Sequence, residues 1–399
     1  MTAHPLQPAG LRTQAVNFMA TPPLSLYIHI PWCVRKCPYC DFNSHEVRDS
    51  VPEKAYIAAL TRDLELALPL IWGRKVYTVF FGGGTPSLLS GEGIAEIMRQ
   101  VRMLLPLDLG AEITLEANPG TVEAGRFAAY REAGVNRLSL GIQSFNDAHL
   151  KALGRIHSAD EAKRAIAIAQ RHFDSINLDL MYALPRQNTA QALQDLQTAL
   201  SFAPQHLSCY HLTLEPNTLF HRKPPPLPDD DASGEMQTRI EELLATHGYE
   251  HYETSAFALP KRRSRHNLNY WQFGDYLGIG AGAHSKLSFH DKVIRQMRHR
   301  QPQAYLDAVA QGMPLQSEHE VAPADLAFEF MMNALRLNQG FDNALFAERT
   351  SLPLLSIRRE LEEAERRSLL LRDHQRTAPT GLGQRFLNDL LGIFLAAKD

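Results

Sequence analysis

The 399-residue sequence predicts an α/β fold: a partial (β/α)6 barrel of the TIM type, a smaller α+β region, and a C-terminal winged-helix-like module. Two patterns lead there. Six short apolar or β-branched runs alternate with helical patterns, which argues for a parallel sheet wrapped by helices. The residues richest in chemistry follow those runs one after another, at the strand C-termini where barrel folds carry their working groups.

The expected strands are Ser25–Ile30, Val76–Phe81, Glu112–Glu116, Asn136–Ile142, Ser175–Met181 and Leu207–Leu214. Helical patterns fill the gaps at Pro52–Trp72, Gly91–Leu105, Val122–Glu132, Asp160–Arg171 and Ala190–Phe202. Six units are too few for a closed eight-stranded barrel. A proline-rich run, Lys223 to Asp231, reads as a stiff linker. Beyond it come a helix near Ser233–His247, an extended run at Tyr249–Phe257, and helical patterns at Ala324–Leu337 and Leu354–Ser368. A small turn unit near Arg372–Thr380 and a final helix close the chain. The expected divisions are a flexible lead-in (1–23), the barrel (24–220), a linker and extension (221–320) and the C-terminal module (321–399).

Three of the four cysteines, Cys33, Cys37 and Cys40, follow the first strand with C-x3-C-x2-C spacing. Thiolates bunched on a short loop hold soft metal, and three of them on a [4Fe–4S] cube leave one iron open to a small molecule. A structural zinc site is the alternative, with His29 or His45 as fourth ligand. Four cysteines in a chain this long do not make a disulfide scaffold. Cys209, in the apolar stretch Leu207-Ser-Cys-Tyr-His-Leu, reads as a buried small hydrophobe. The run Phe81-Gly-Gly-Gly-Thr-Pro86 ends the second strand, where glycine lets backbone approach a ligand closely. With no Gly-Lys-Ser/Thr after it, it is not a phosphate loop.

The cysteine spacing resembles the signature of the radical S-adenosylmethionine (SAM) superfamily. Together, YIHIPWC…CPYCDFNS, FGGGTPSLL, LEANPGT, GVNRLSLGIQSF, LDLMYALP and HNLNYWQFGDYLGIGAGAH resemble its HemW branch, over roughly Leu24 to Leu391. That branch is similar to oxygen-independent coproporphyrinogen III oxidase. The resemblance implies a radical SAM barrel whose cluster is held by Cys33, Cys37 and Cys40, with SAM on the fourth iron and cleaved to a deoxyadenosyl radical on reduction. It implies that Tyr27 and Tyr39 lie beside cluster and SAM, and that Gly83, Gly84 and Thr85 meet SAM's amino and carboxylate end. Glu116, Gln143, Arg155 and Asp179 match positions lining SAM sites. Chemically they suit the task, since carboxylates bind ribose hydroxyls or an ammonium and Arg155 pairs with a carboxylate.

One departure separates the chain from the porphyrinogen oxidases. They carry a further cysteine two residues after the third, where this sequence has Phe42, and a longer N-terminal segment that helps close the substrate site. The HemW branch implies a heme chaperone, delivering heme to an acceptor protein, rather than coproporphyrinogen oxidation. The motif His266-Asn-Leu-Asn-Tyr270-Trp271 has the chemistry for heme: an imidazole to ligate iron and aromatics to pack on the macrocycle. The resemblance points to His266 as axial ligand, with His284 and His211 in reserve, and the basic run Lys261 to Arg265 beside it could pair with propionates.

Bulk composition excludes little else. A net charge of −3 and 21% charged residues give no global pull toward nucleic acid, and no aromatic platform accompanies the basic run. No apolar run is long enough for a transmembrane helix, which leaves only peripheral membrane contact. The N-terminus lacks a secretory pattern, so a cytoplasmic location is expected.

Overall fold

The computed structural model describes residues 16–121 and 124–395. Six parallel strands form its centre: β1 (Leu24–Ile30), β2 (Val76–Gly83), β3 (Leu107–Ala117), β4 (Arg137–Gln143), β5 (Ile176–Tyr182) and β6 (His206–His211). They lie side by side in chain order within a 12-stranded sheet. Burial on both faces explains their composition: β1 reads LSLYIHI with only Tyr27 short of full burial.

The sequence reading missed how far the sheet continues. Next to β1 runs the parallel strand Asp275–Ile279, then antiparallel His284–Ser288, Val293–Arg298 and Leu315–Glu320. Beyond β6 the expected single run at Tyr249–Phe257 is a hairpin of Glu250–Glu253 and Ala256–Ala258. The gap in burial at Thr254 and Ser255 is where the chain turns.

The crossovers are α1 (Glu53–Ile71), α2 (Gly91–Leu104), α3 (Ala124–Ala133), α4 (Asp147–Ala152) with α5 (Ala159–Ala169), and α6 (Thr189–Leu200). Ser90 caps α2, while α5 and α6 begin with reciprocal capping boxes, Ser158 with Glu161 and Asn188 with Gln191. Tyr56, Leu60, Leu64, Ala67 and Ile71 form the buried stripe of α1.

Two buried charge networks tie the extension to the barrel. Asp63 on α1 accepts from Tyr305 Oη (2.9 Å), the Gly280 amide (3.1 Å) and the Arg298 guanidinium (3.3 Å). Asp275 meets Lys286 at 3.0 Å and Arg74 at 2.9 Å. Such pairs specify arrangement more than they add stability, because desolvation offsets most of the attraction.

The C-terminal region packs helices Pro323–Ala334, Asn343–Thr350 and Arg358–Arg366 with a three-stranded sheet of Phe341–Asp342, Arg376–Pro379 and Leu370–Arg372. Of the expected lead-in, residues 1–15 lie outside the described residues. The remainder is packed: Val16 and Phe18 are buried in the C-terminal core beside Phe330 and Phe346. The proline run is likewise laid along the barrel, with the Pro226 carbonyl accepting from the Arg186 amide at 3.0 Å. No described helix is long and apolar enough to cross a membrane.

Candidate functional site

At the C-terminal mouth of the barrel a cavity of about 380 Å³ collects all but one of the residues singled out for the cluster and SAM. Cys33, Cys37, Cys40, Tyr39, Gly83, Gly84, Thr85, Glu116, Gln143, Arg155 and Asp179 all line it. Tyr27 does not: its hydroxyl hydrogen-bonds with His29 Nδ1 (3.0 Å) and its ring packs on Phe80, below the cavity.

The cysteine loop leaves β1 and is anchored by a short parallel pairing of Trp32–Cys33 with His45–Glu46. Its three thiols are free and partly exposed, whereas Cys209 is buried, as expected of a small hydrophobe. Burial pushes the Cys33 and Cys40 thiols up from their ordinary range, and hydrogen bonds from Thr85 and Ser44 offset part of this. Thiols held protonated by a dry pocket deprotonate when a metal supplies the positive charge. The zinc alternative loses His29 as its fourth ligand here. His29 has both ring nitrogens engaged, Nε2 with the Asn43 carbonyl at 2.8 Å, and His45 Nε2 faces the Arg300 carbonyl at 3.3 Å. Among the described residues no three His, Cys, Asp or Glu converge on a single-ion position.

The glycine run is explained by the protein before any ligand. A β-carbon on Gly84 would stand 2.5 Å from the Trp32 carbonyl oxygen, and one on Gly83 would meet the His29 ring at 2.5 Å. Gly83 also has φ +113°, a region that favours glycine. The close approach expected toward SAM is thus, at these atoms, an approach to the strand that launches the cysteine loop. A valine at position 84 would therefore disturb the cluster loop as well as any bound SAM.

Arg155 joins the two halves of the cavity. Its guanidinium donates to Asn118 Oδ1, to the Gly141 carbonyl at 2.8 Å and to Cys37 Sγ at 3.8 Å, and Asn118 donates in turn to Thr85 Oγ1 at 3.0 Å. Sequence reasoning missed Asn118, although it lies inside the LEANPGT motif, two residues past Glu116 on the same face of the strand end. Gln143 has φ +67° at a register shift in β4, an uncommon conformation for a side chain with a β-carbon, costing about 1–3 kcal/mol. Strain of this kind at a cavity wall is a signature of a binding site.

Two buried carboxylates complete the wall. Burial, then the neighbouring Asp179, pushes Glu116 up to about 8, and burial raises Asp179 despite hydrogen bonds from Ser139 (2.9 Å) and Asn177 (2.8 Å). Two acids stacked in a dry cavity with too few cations attract a cationic or hydroxyl-bearing ligand. The donor set therefore fits a thiolate-bound cluster and SAM: three thiols, an arginine for a carboxylate, and acids for an ammonium or ribose hydroxyls.

The heme motif lies elsewhere. HNLNYW is helix Arg265–Trp271, capped by Ser264, with the Arg265 and His266 amides donating to Glu112 at 3.1 and 3.0 Å. It plugs the opposite, N-terminal end of the barrel. His266 is 2% exposed, Nδ1 hydrogen-bonds with Thr78 Oγ1 at 2.7 Å, and its ring stacks on Phe80 at 4.8 Å. Burial, then Arg137, pushes it down to about 3, so it is neutral, and Nε2 has no partner among the described residues. Trp271 lies under the Arg336 guanidinium at 4.3 Å, and Tyr270 packs on Tyr276 at 4.4 Å. Of the reserves, His211 lines the mouth cavity and His284 is exposed on the sheet extension.

Fold and site together define a radical SAM protein. The Radical SAM superfamily profile matches residues 27–199, and the HemN C-terminal domain profile matches 321–386. The chain is 50% identical to a protein of Escherichia coli named heme chaperone HemW, across 94% of this chain and 99% of that one. It is 46% identical to the protein of that name from Haemophilus influenzae, again across 94% and 99%. Radical S-adenosyl methionine domain-containing protein 1, mitochondrial, of Bos taurus is 35% identical over 92% of this chain and 86% of its own. The protein belongs to the HemW family. Among solved structures, E. coli coproporphyrinogen III oxidase, HemN, superimposes with a TM-score of 0.81 at 23% identity, over 95% of this chain and 91% of that one. That likeness shows a shared fold.

Proposed function

We propose that this protein is a heme chaperone: it binds heme and passes it to an acceptor protein in the cytoplasm, with a [4Fe–4S] cluster and SAM at its barrel mouth. The observation that carries this reading is the half-identity, over nearly the full length of both chains, to a relative named for that role. The cluster would supply one-electron chemistry to SAM when both are bound. Around it, Cys33, Cys37 and Cys40 would hold the iron, Arg155 would orient a carboxylate, and Glu116 with Asp179 would take the cationic or ribose end. Three free thiols support a reducing compartment.

The oxidase reading is favoured only by the shared fold. Phe42, 62% exposed at the cavity rim, stands where the oxidases have a further cysteine. Anaerobically reconstituted protein should take up heme, seen as a Soret band that survives gel filtration, and should leave coproporphyrinogen III unconverted. Turnover to protoporphyrinogen would overturn the chaperone reading in favour of the enzyme.

A further inference from the structure

Between the base and the mouth, the barrel interior holds a cation with no partner. Arg137, on β4, shares its inward face with Ser139, one step nearer the mouth, and registers beside Thr114 on β3. Only 4% of it is exposed, yet among the described residues its guanidinium donates no hydrogen bond and forms no ion pair. Its charge acts on groups from five different elements: Glu116, Asp179, His206, Tyr252 and His266. Thr114 Oγ1 and His266 Nε2, both buried, are also without partners.

A guanidinium cut off from water needs an anion, because burying a lone charge is costly. The two histidines near it cannot serve, since burial holds both neutral. Other carboxylates in the region are taken. Glu112 accepts the amides of Arg265 and His266, and Glu253 faces Arg336 at 3.6 Å. Glu116 and Asp179 are left, and neither forms an ion pair with another described residue. The remaining titratable groups that face them are the phenols of Tyr27 and Tyr210. The result is an unclosed set: two acids opposed by burial and by each other, and one cation that favours their ionised forms. With both acids ionised the set has one negative charge in excess, which a cation entering from the mouth would balance.

We infer that Arg137 is a positioning residue for the mouth: it stabilises the ionised forms of Glu116 and Asp179, so that the pair selects a ligand with a fixed positive charge. That ligand is SAM, whose sulfonium distinguishes it from S-adenosylhomocysteine, a neutral thioether of nearly the same shape. The inference rests on the SAM reading above. Arg137 acts through the acids and touches no ligand itself, which is why no motif at a strand end announces it.

The test uses full-length, anaerobically reconstituted protein, with SAM and S-adenosylhomocysteine titrated separately at neutral pH. Wild type should prefer SAM. Arg137→Met should weaken SAM by about tenfold, the equivalent of one pKa unit, while S-adenosylhomocysteine changes by less than about twofold. Arg137→Lys should keep most of the preference. In infrared spectra of the ligand-free protein, the carboxyl band that Glu116→Gln removes should titrate about one pH unit higher in Arg137→Met than in wild type. Where Arg137→Met does not fold, Arg137→Gln, which keeps polar atoms in the lumen, carries the same expectations. Equal loss of both ligands would mean a purely structural role and overturns the inference. Tighter SAM binding in Arg137→Met overturns it too, since Arg137 would then merely repel the sulfonium. A wild type that binds no SAM brings down the SAM reading itself.

Discussion

The two ends of the barrel are built from the same strands and do opposite work. On β5, Asn177 and Asp179 point inward two residues apart. At the base, Asn177 and its neighbours are saturated: its Oδ1 meets His206 Nδ1 at 2.6 Å, and His206 Nε2 meets Tyr252 Oη at 2.8 Å. Burial holds His206 neutral, far below its ordinary range. One step higher, Asp179 and Glu116 line the cavity, and burial raises both carboxyls, Glu116 to about 8. The base spends its polar groups on one another, while the mouth leaves its thiols and Glu116 with fewer partners. A barrel interior becomes a site where satisfaction is incomplete, and a structural plug where it is nearly complete.

Removing the mouth's thiols should have the largest effect. Cys33→Ala, Cys37→Ala or Cys40→Ala should each abolish the visible absorbance of the reconstituted cluster, while Cys209→Ala leaves it intact. A protein that takes up only zinc after anaerobic loading with iron and sulfide would erase the contrast between the two ends.

The plug can be loosened from outside the barrel. Glu112→Ala removes the carboxylate that accepts two amides at the start of the HNLNYW helix. Stability should fall by about 1–2 kcal/mol in urea melts, with cluster uptake unchanged. Lost cluster at full stability would mean that base and mouth are coupled more tightly than the hydrogen bonds suggest.

The smallest effect is one of pH. The folded value of Glu116, about 8, lies above its ordinary 4.5, so between the two the native state keeps a proton that the unfolded chain has released. Its contribution is full below about 4.5 and is lost as pH rises through about 8. In SAM-free protein, Glu116→Gln should escape that loss. Relative to wild type it should gain at least ~1.4 kcal/mol, one pKa unit's worth, between acid and mildly alkaline melts. Parallel stability curves for the two proteins would show that Glu116 is as well satisfied as the groups at the base.

By itself the sequence determined the parallel core and the content of the mouth. Strand period, capping boxes and the C-x3-C-x2-C loop are local patterns, and in a βα barrel whatever follows a strand must arrive at one rim. That is why Cys33, Gly83, Glu116, Gln143 and Asp179, far apart in the chain, line one cavity. Only the tertiary structure decided where HNLNYW points. A seven-residue helix carries no signal for which end of the barrel it will close, and the choice rests on Thr78, Glu112 and Phe80, well over a hundred residues upstream. The sheet extension was hidden for the same reason. Strand Asp275–Ile279 finds its partner in β1, about 250 residues earlier, and hydrogen bonds over such separations leave no local trace in composition or period.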